Sequence, residues 1–303
     1  MNFYKEKVAI LLCVKDSDDF IEDQLSSLRN QKDINYDLFI GDDGCSNKTL
    51  KILKRYSKKI FTGPRNGFAA NFISSLRKIP DHYDFYCFCD HDDIWMDNKL
   101  KVSTEALRQY DNAMPNLYCG RTQLINEIGD EIGFSPLFKK NPSFYNALVQ
   151  SIAGGNTMTF NIETKKLLAK ADLNKSIVSH DWLAYILVTA FNGNVFYDPI
   201  PLVKYRIHKT NKIGSNTGIF AILSRYKKVL NGTWKKWIDS NISQISEIIP
   251  QGNQNFDSFK SFLELREGRN VFKRLHFLYK YQFYRQTALG NFALIIMVIL
   301  KKL

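Results

Sequence analysis

Short apolar runs alternate with amphipathic stretches through the first 110 residues of the chain. Four of the runs indicate strands, at 7–14, 36–41, 59–62 and 85–89. The run at 7–14 is continuous, as is typical of a parallel strand buried on both faces of a sheet. Each precedes a stretch with apolar residues at helical spacing, which predicts helices at 18–29, 49–56, 69–77 and 98–110. Repeated strand–helix units predict an α/β fold, a doubly wound sheet with helices on both faces.

The regular alternation is lost after residue 115, where strands and helices mix. Predicted strands lie at 116–122, 158–161 and 195–197, and predicted helices at 145–150, 164–171 and 181–190. Beyond about residue 216 the sequence is mostly helical in pattern, aromatic and basic. We therefore expect a first domain at 1–216, and a C-terminal segment at 217–303.

The composition, 45% hydrophobic and 24% charged, is typical of a folded globular chain and excludes a disordered one. The longest apolar run, 292–300, has about half the length that a membrane-spanning helix needs. The apolar run near the N-terminus is followed at once by charged residues, without the cleavage site of a secretory signal. These features predict a cytoplasmic protein, and the five cysteines, an odd number, are interpreted as reduced thiols.

Most of the net charge of +12 lies in the C-terminal segment, which has 14 Lys and Arg against 5 Asp and Glu. Basic residues interleaved with aromatic ones suit an anionic membrane surface, to which the protein would bind peripherally. They are also compatible with packing on the first domain or on another subunit of an oligomer. Nucleic acid, whose bases stack on aromatic rings, is the partner that we expect least.

Acidic residues follow three of the predicted strands, in VKDSDD (14–19), GDDG (41–44) and CDHDDIW (89–95). Ligands of an open α/β sheet bind at the carboxyl ends of its strands, so these side chains are candidates for a binding site. The Gly-rich turn with which a dinucleotide-binding domain holds phosphate is absent after the first strand. A phosphorylated ligand at this edge would therefore need a cation.

Asp90 and Asp92 leave their strand on the same side, where two carboxylates can hold a hard cation such as Mg²⁺ or Mn²⁺. Such an ion leaves positions free for a diphosphate. The alternative is that Asp92 or Asp93 caps the helix near residue 98. Asp42 and Asp43 also have two interpretations, a turn or a carboxylate that accepts hydrogen bonds from a nucleobase or ribose.

The ordered segments ILLCVKDSDDFIEDQLSSL, FIGDDGCSNKTL, RNGFAANF and FCDHDDIWMDNKL resemble the inverting glycosyltransferases of family 2. The likeness is strongest to the rhamnosyltransferase-like branch that builds bacterial surface polysaccharides. SHDWLAY (179–185) and VKYRIHKTN (203–211) agree with it, so that the resemblance spans about residues 8–211. It implies the GT-A fold, a mixed doubly wound sheet, for the first domain.

The resemblance also implies roles at the donor side of the site. Asp43 would hold the nucleobase of a UDP- or dTDP-linked sugar, in a pocket that Cys13, Val14 and Asn71 line. Asp90 would contact both the nucleotide and the metal.

The remaining implied roles concern the metal and the transfer step. Asp92 is the expected direct ligand of Mg²⁺ or Mn²⁺, and His208 lies where it can reach the metal or the diphosphate. On a strand, His208 would by default be a structural histidine, but its basic neighbours Arg206, Lys209 and Lys212 indicate an edge that faces the diphosphate.

Asp181 matches the catalytic base, although its local sequence also suits a helix cap. Trp95 and Trp182 each closely follow one of the candidate aspartates. An aromatic face can pack on a sugar of the acceptor, a glycan or lipid-linked saccharide, and the alternative is that each ring only forms a wall of the site.

The sequence thus favours an inverting transferase that moves a hexose such as rhamnose to a hydroxyl of a surface glycan. A glycoside hydrolase also uses paired carboxylates, but they flank a bond about 5 to 9.5 Å across, whereas carboxylates two residues apart on one strand are placed to chelate. A non-catalytic, anion-binding scaffold protein is the third hypothesis, suggested by the basic C-terminal segment.

Overall fold

The computed structural model describes residues 6–15, 19–208 and 231–303. Eleven strands lie in these ranges: β1 Lys7–Val14, β2 Asn35–Asp42, β3 Ile60–Thr62, β4 Phe85–Cys89, β5 Ile94–Trp95, β6 Asn116–Gly120, β7 Gln123–Ile125, β8 Glu131–Phe134, β9 Thr159–Asn161, β10 Asn194–Asp198 and β11 Val203–Arg206. The predicted boundary at residue 216 falls outside the described residues.

Eleven α-helices lie in the same ranges, together with one 3₁₀ turn at Gly155–Thr157. The helices are α1 Ile21–Arg29, α2 Asn47–Tyr56, α3 Phe68–Lys78, α4 Lys99–Leu107, α5 Phe144–Ala147, α6 Ile162–Leu168, α7 His180–Ala190, α8 Thr233–Ile248, α9 Phe256–Glu267, α10 Val271–Lys280 and α11 Ala288–Ile299. No helix among the described residues is long and apolar enough to cross a membrane.

The main sheet has seven strands in the order β10-β6-β9-β4-β1-β2-β3. Strand β1 runs parallel to β2 and β4, while β9 is antiparallel to β4 and β6, so the sheet is mixed. Alternate residues of β1 belong to two separate apolar cores, Leu11 to one and Ile10 to the other. Burial on both faces explains why the run is apolar throughout, and it confirms the predicted doubly wound α/β architecture.

A second sheet of four short strands, in the order β5-β11-β7-β8, was not predicted. Its strands have two to four residues, too few to give a periodic signal. Strand β5 pairs with β11 through Val203 and Trp95, two residues far apart in the sequence. This pairing carries the chain after β11 back to the carboxyl end of β4.

The C-terminal segment is helical in its described part, as the sequence predicts, and it packs on the rest of the molecule. Ile238, Ile245 and Phe262 belong to the same apolar core as Phe72 and Leu11. The Trp182 and Trp234 rings lie 5.6 Å apart, between α7 and α8. Part of the aromatic content of this segment therefore serves intramolecular packing.

Helices α10 and α11 form an antiparallel hairpin that Arg274 closes. Its buried guanidinium donates to the carbonyls of Val298 at 2.8 Å, Ile299 at 2.9 Å and Gly268 at 2.8 Å. Since residue 274 is in the first turns of α10 and residues 298–299 end α11, the two helices run in opposite directions. A charged donor thereby ties the last turn of α11 and the residue after α9 to α10.

The Arg274→Met variant tests this closure. Methionine keeps the apolar stem but removes the guanidinium donors from these carbonyls, so we expect a loss of about 2–4 kcal/mol in the free energy of unfolding. Urea denaturation followed by circular dichroism measures it. Arg269→Met, at an exposed neighbouring position, is the control and should change stability by less than about 0.5 kcal/mol. Equal losses in the two variants would contradict the assignment.

Candidate active site

The carboxyl ends of β2, β1 and β4 lie side by side and bring together residues that the sequence singled out. The Asp43 N–H donates to the Val14 carbonyl at 2.9 Å, which joins the exit of β2 to the end of β1. Burial raises the pKa of the Cys13 thiol, and the negative charges of Asp90 and Asp43 raise it further. Both carboxylates therefore lie close to the end of β1.

The two aspartates after β2 differ in their surroundings. Oδ1 of Asp42 accepts the N–H groups of Gly44 at 3.0 Å and Cys45 at 2.7 Å, the hydrogen bonds of a turn. Asp43 is buried, and its Oδ1 accepts the Arg65 N–H at 2.6 Å. The turn interpretation therefore fits Asp42, and Asp43 is the candidate for the nucleobase.

Asn71 is buried beside Asp43, and its Nδ2 donates to the Gly41 carbonyl at 2.9 Å. Gly63 lies against both side chains. A Cβ at this position would be 2.5 Å from Oδ1 of Asn71 and 2.7 Å from Oδ1 of Asp43. Only glycine fits here without displacing the two predicted pocket residues.

Asp90 lies among other carboxylates at the end of β4. Burial raises its pKa to about 8, with further contributions from the charges of Asp92 and Asp181. The two aspartates of the D-x-D element and the predicted base therefore lie close to one another, although Asp181 is far from them in the sequence. Negative charge so concentrated is suited to bind a cation.

Asp92 and His208 are in direct contact, with 2.8 Å between Oδ2 and Nε2. His208 does not lie on a strand, because β11 ends at residue 206. Its ring packs 5.1 Å from that of Phe20. The structure thus places His208 next to the predicted metal ligand.

Asp93 is held inside the protein. Its Oδ2 accepts from Nδ2 of Asn156, and its Oδ1 accepts the Arg206 N–H at 3.2 Å. Helix α4 has Asn98 at its N-cap, and strand β5 separates it from the acidic turn. Asp92 and Asp93 are therefore not the caps of that helix, and the cap interpretation is wrong.

Arg206, one of the basic neighbours of His208 that indicate a diphosphate-facing edge, points into the protein. Its buried guanidinium donates through Nε to the Asp92 carbonyl at 3.1 Å and through Nη2 to the Asp23 carboxylate at 2.8 Å. The inward direction satisfies its donors and fixes the acidic turn. Lys209 and Lys212, like Asp16 in the first acidic segment, lie outside the described residues.

Asp181 lies in the first turn of α7, where its carboxylate accepts two backbone N–H groups. Oδ1 accepts from Trp182 at 2.6 Å, and Oδ2 accepts from Gly155 at 3.1 Å. The N-cap of this helix is Ser179, whose side chain also accepts from Trp182. Burial raises the pKa of Asp181, which strengthens it as a base.

His180 precedes the predicted base and was not predicted from the sequence to be part of the site. Its ring stacks on Phe72 at 3.8 Å and meets Phe88 edge-on at 4.5 Å. Burial lowers its pKa to about 3, so the imidazole is neutral at physiological pH. Gly155 packs on this ring, because a Cβ there would lie 2.2 Å from Nε2 of His180.

Two further residues of the site were missed, Asn156 and Tyr205. Burial raises the pKa of Tyr205, and the charges of Asp93 and Asp90 are the next causes. The sequence signal for Asn156 was the small-residue pair Gly154-Gly155 before it. For Tyr205 the only signal was its place in the segment with His208.

Both tryptophans predicted at the acceptor are buried. The Trp182 indole N–H donates to the Ala147 carbonyl at 2.7 Å. The Lys99 ammonium lies 3.7 Å from the centre of the Trp95 ring. These contacts give each ring a packing role, and their contact with an acceptor stays a prediction.

Among the described residues, no group of three His, Cys, Asp or Glu side chains forms a complete metal site. Mg²⁺, however, is usually held by one or two carboxylates together with substrate phosphates and water. The buried Asp92 and the half-buried Asp90, which repel each other, offer such an incomplete oxygen donor set. The residues present therefore fit a divalent ion that a diphosphate completes.

Known proteins share this arrangement at the level of fold. TarS of S. aureus, in its 1–349 form, superposes with a TM-score of 0.56 and 13% identity, over 90% of this chain and 72% of that one. Its complex with UDP-GlcNAc superposes with a TM-score of 0.53, over 91% of this chain and 80% of that one. Together with the mixed sheet, these likenesses establish the GT-A fold.

Curated relatives are also glycosyltransferases. The chain is 27% identical to the dTDP-rhamnosyl transferase RfbG of Shigella flexneri, over 76% of this chain and 81% of that protein. It is 24% identical to an uncharacterized glycosyltransferase of Rickettsia typhi, over 78% of this chain and 74% of that protein. Neither relative supports a hydrolase or a non-catalytic scaffold.

The model of the family "Glycosyl transferase family 2" matches residues 9–160, half of the chain. This range contains the strand ends that carry Asp43, Asp90 and Asp92. The protein therefore belongs to glycosyltransferase family 2.

Proposed function

We propose that this glycosyltransferase is metal-dependent and inverting, and that it moves rhamnose or another hexose from UDP or dTDP to a hydroxyl of a surface glycan. The observation that carries the proposal is the position of Asp181 beside the acidic turn after β4, since Gly155 donates to Asp181 and the next residue, Asn156, donates to Asp93. Such a transfer needs a general base for the acceptor hydroxyl and, close to it, carboxylates that hold a cation for the leaving diphosphate.

Asp90 and Asp92 would hold Mg²⁺ or Mn²⁺, with His208 beside them. The bound ion would neutralise the charge that develops on the departing nucleoside diphosphate. Arg206 would keep Asp92 in place through the hydrogen bond to its carbonyl. Asn156 and the Arg206 N–H would hold Asp93, so that the turn cannot open.

Asp181 would take the proton of the acceptor hydroxyl as that oxygen attacks the anomeric carbon. Two N–H donors orient its carboxylate, and the neutral His180 ring adds no positive charge that would weaken it as a base. The attack comes from the face opposite the leaving group, which inverts the anomeric configuration.

Asp43 would accept the imide N–H of the base, with Cys13, Val14 and Asn71 around it. Uracil and thymine present the same imide edge, so the same carboxylate suits both. The names of the relatives support this pair, since RfbG is a dTDP-rhamnosyl transferase and TarS is described with UDP and UDP-GlcNAc.

The acceptor would be a growing glycan, carried on a lipid and met at the inner face of a membrane. The basic C-terminal segment supports this place of action, because lipid surfaces facing the cytoplasm are anionic. The protein would accordingly be cytoplasmic and bind the membrane peripherally.

Replacing Asp181 by Asn tests the base. We expect the turnover number to fall by about 10²–10⁴ while the affinity for the donor changes little, because the amide cannot take a proton. Nucleoside diphosphate release from UDP- and dTDP-hexoses, with octyl glycosides as acceptors, gives the rate, and calorimetry gives the affinity. Asp257→Asn, in the first turn of α9, is the control. Unchanged turnover in Asp181→Asn would refute the role.

Replacing Asp92 by Asn tests the metal site. We expect the affinity for UDP in the presence of Mn²⁺ to fall at least about tenfold, since one charged ligand is lost. Calorimetry measures it, and EDTA should reduce wild-type affinity to the same level. The control is Asp97→Asn, an exposed position a few residues further along the chain. If UDP binds equally well with EDTA, the metal proposal fails.

Replacing Asp43 by Asn tests recognition of the base. The Asn Oδ1 still accepts the Arg65 N–H, but its NH₂ opposes the imide N–H. We expect UDP and dTDP to bind more weakly by the same factor, about 10- to 100-fold. A loss for one nucleotide and not for the other, measured by calorimetry with Mn²⁺, would show that Asp43 does not face the imide edge.

A further inference from the structure

The helical hairpin of α10 and α11 exposes apolar side chains that the rest of the molecule does not cover. Phe272 and Tyr279 are 76% and 67% exposed on α10, and Leu289 and Phe292 are 60% and 56% exposed on α11. Other aromatic residues of the segment, such as Phe262, are buried in the shared core. The exposed rings are therefore not the ones that pack the segment on the rest of the molecule, since other aromatic side chains of the segment do so.

On α10 the exposed positions repeat with the period of two helical turns. Phe272 and Lys273 are followed seven residues later by Tyr279 and Lys280, and all four are exposed. Residues seven apart lie on one helix face, so aromatic rings and ammonium groups share it. Arg274 and Leu278 point to the buried side.

Helix α11 has twelve residues, ALGNFALIIMVI, without a single charge. A helix that is apolar on all sides is normally buried. Here Leu294, Met297 and Val298 are buried, while Leu289, Phe292 and the end of the helix at Ile299 remain exposed. Its length of about 18 Å is short of the roughly 30 Å of a bilayer core.

We propose that these exposed faces form a docking surface for an anionic lipid bilayer, which we call the hairpin face. It comprises Phe272, Lys273, Tyr279 and Lys280 on α10, and Leu289 and Phe292 on α11. Rings and aliphatic side chains would enter the headgroup region, and the lysines would reach lipid phosphate.

The charge on the hairpin face argues for a bilayer over a second copy of the chain. Pairing two hairpin faces brings Lys273 and Lys280 of both copies together, and like charges at an interface are unfavourable. An anionic bilayer satisfies the apolar and the basic side chains at once. The proposal deepens the proposed function, since it names the surface at which a lipid-linked acceptor is met.

Vesicle co-sedimentation of the full chain tests the proposal. We expect binding to phosphatidylcholine vesicles that contain phosphatidylglycerol, and much weaker binding to phosphatidylcholine alone. The variant Phe272→Ser/Phe292→Ser should bind at least about tenfold more weakly, because two apolar insertions are lost. The matched control is Ile128→Ser/Ile132→Ser, at positions 82% and 52% exposed on the β7–β8 hairpin, which should bind like wild type.

A second pair of variants tests the charges. Lys273→Ala/Lys280→Ala should weaken binding about 25-fold, since each lysine near an anionic surface contributes roughly a factor of five. Lys51→Ala/Lys54→Ala, two exposed positions of α2, makes the same change in net charge and should have little effect. Added salt should reduce wild-type binding.

Other outcomes would overturn the proposal. They are absence of vesicle binding, equal loss in the control variants, or equal binding to neutral vesicles. A dimer in light scattering that Phe272→Ser/Phe292→Ser dissociates would assign the hairpin face to a second copy. UDP binding with Mn²⁺ in the absence of vesicles separates this result from the proposed function, because the hairpin variants should leave it unchanged and Asp92→Asn should leave vesicle binding unchanged.

Discussion

Repulsion between buried carboxylates at one edge of the main sheet is the constraint on which the site depends. Asp92, Asp93 and Asp181 are buried there and Asp90 is half-buried, and burial with mutual repulsion raises the pKa of Asp90 to about 8. Separate parts of the chain offset this repulsion. Asn156 and the Arg206 N–H hold Asp93, and His208 contacts Asp92. It is at this edge that a cation and a diphosphate are proposed to bind.

Local patterns predicted the elements that carry this charge. Strands β1 and β4 lie at the predicted positions. Each is a continuous apolar run bounded by polar residues, so the first and last residues of the strand can be read from the sequence. Asp43 and Asp90 directly follow predicted strands, so their approach follows from the parallel order of the sheet. The family resemblance added Asp181 and His208, for which local sequence alone left a structural role open.

Contacts between distant positions could not be predicted in the same way. The hydrogen bond from Asn156 to Asp93 joins residues 63 apart, and the Arg206 contact with Asp92 joins residues 114 apart. The direction of the Arg206 side chain follows from the pairing of β5 with β11, two strands too short to recognise. In the sequence, His180 is an ordinary residue at the start of a helix. Only the packing of Phe72, Phe88 and Gly155 around its ring shows that it lies beside the candidate active site.

Helix α7 is buried along all eleven of its residues, from His180 to Ala190. A helix that is packed on every side cannot shift or rotate without disrupting the core. The Asp181 carboxylate therefore keeps a fixed distance from the sheet. Adjustment between differently sized acceptors would then fall to the sugar and to the loops, because the carboxylate proposed as the base cannot follow them. Selectivity for one hydroxyl over its neighbours would depend on which oxygen can be delivered to an immobile point.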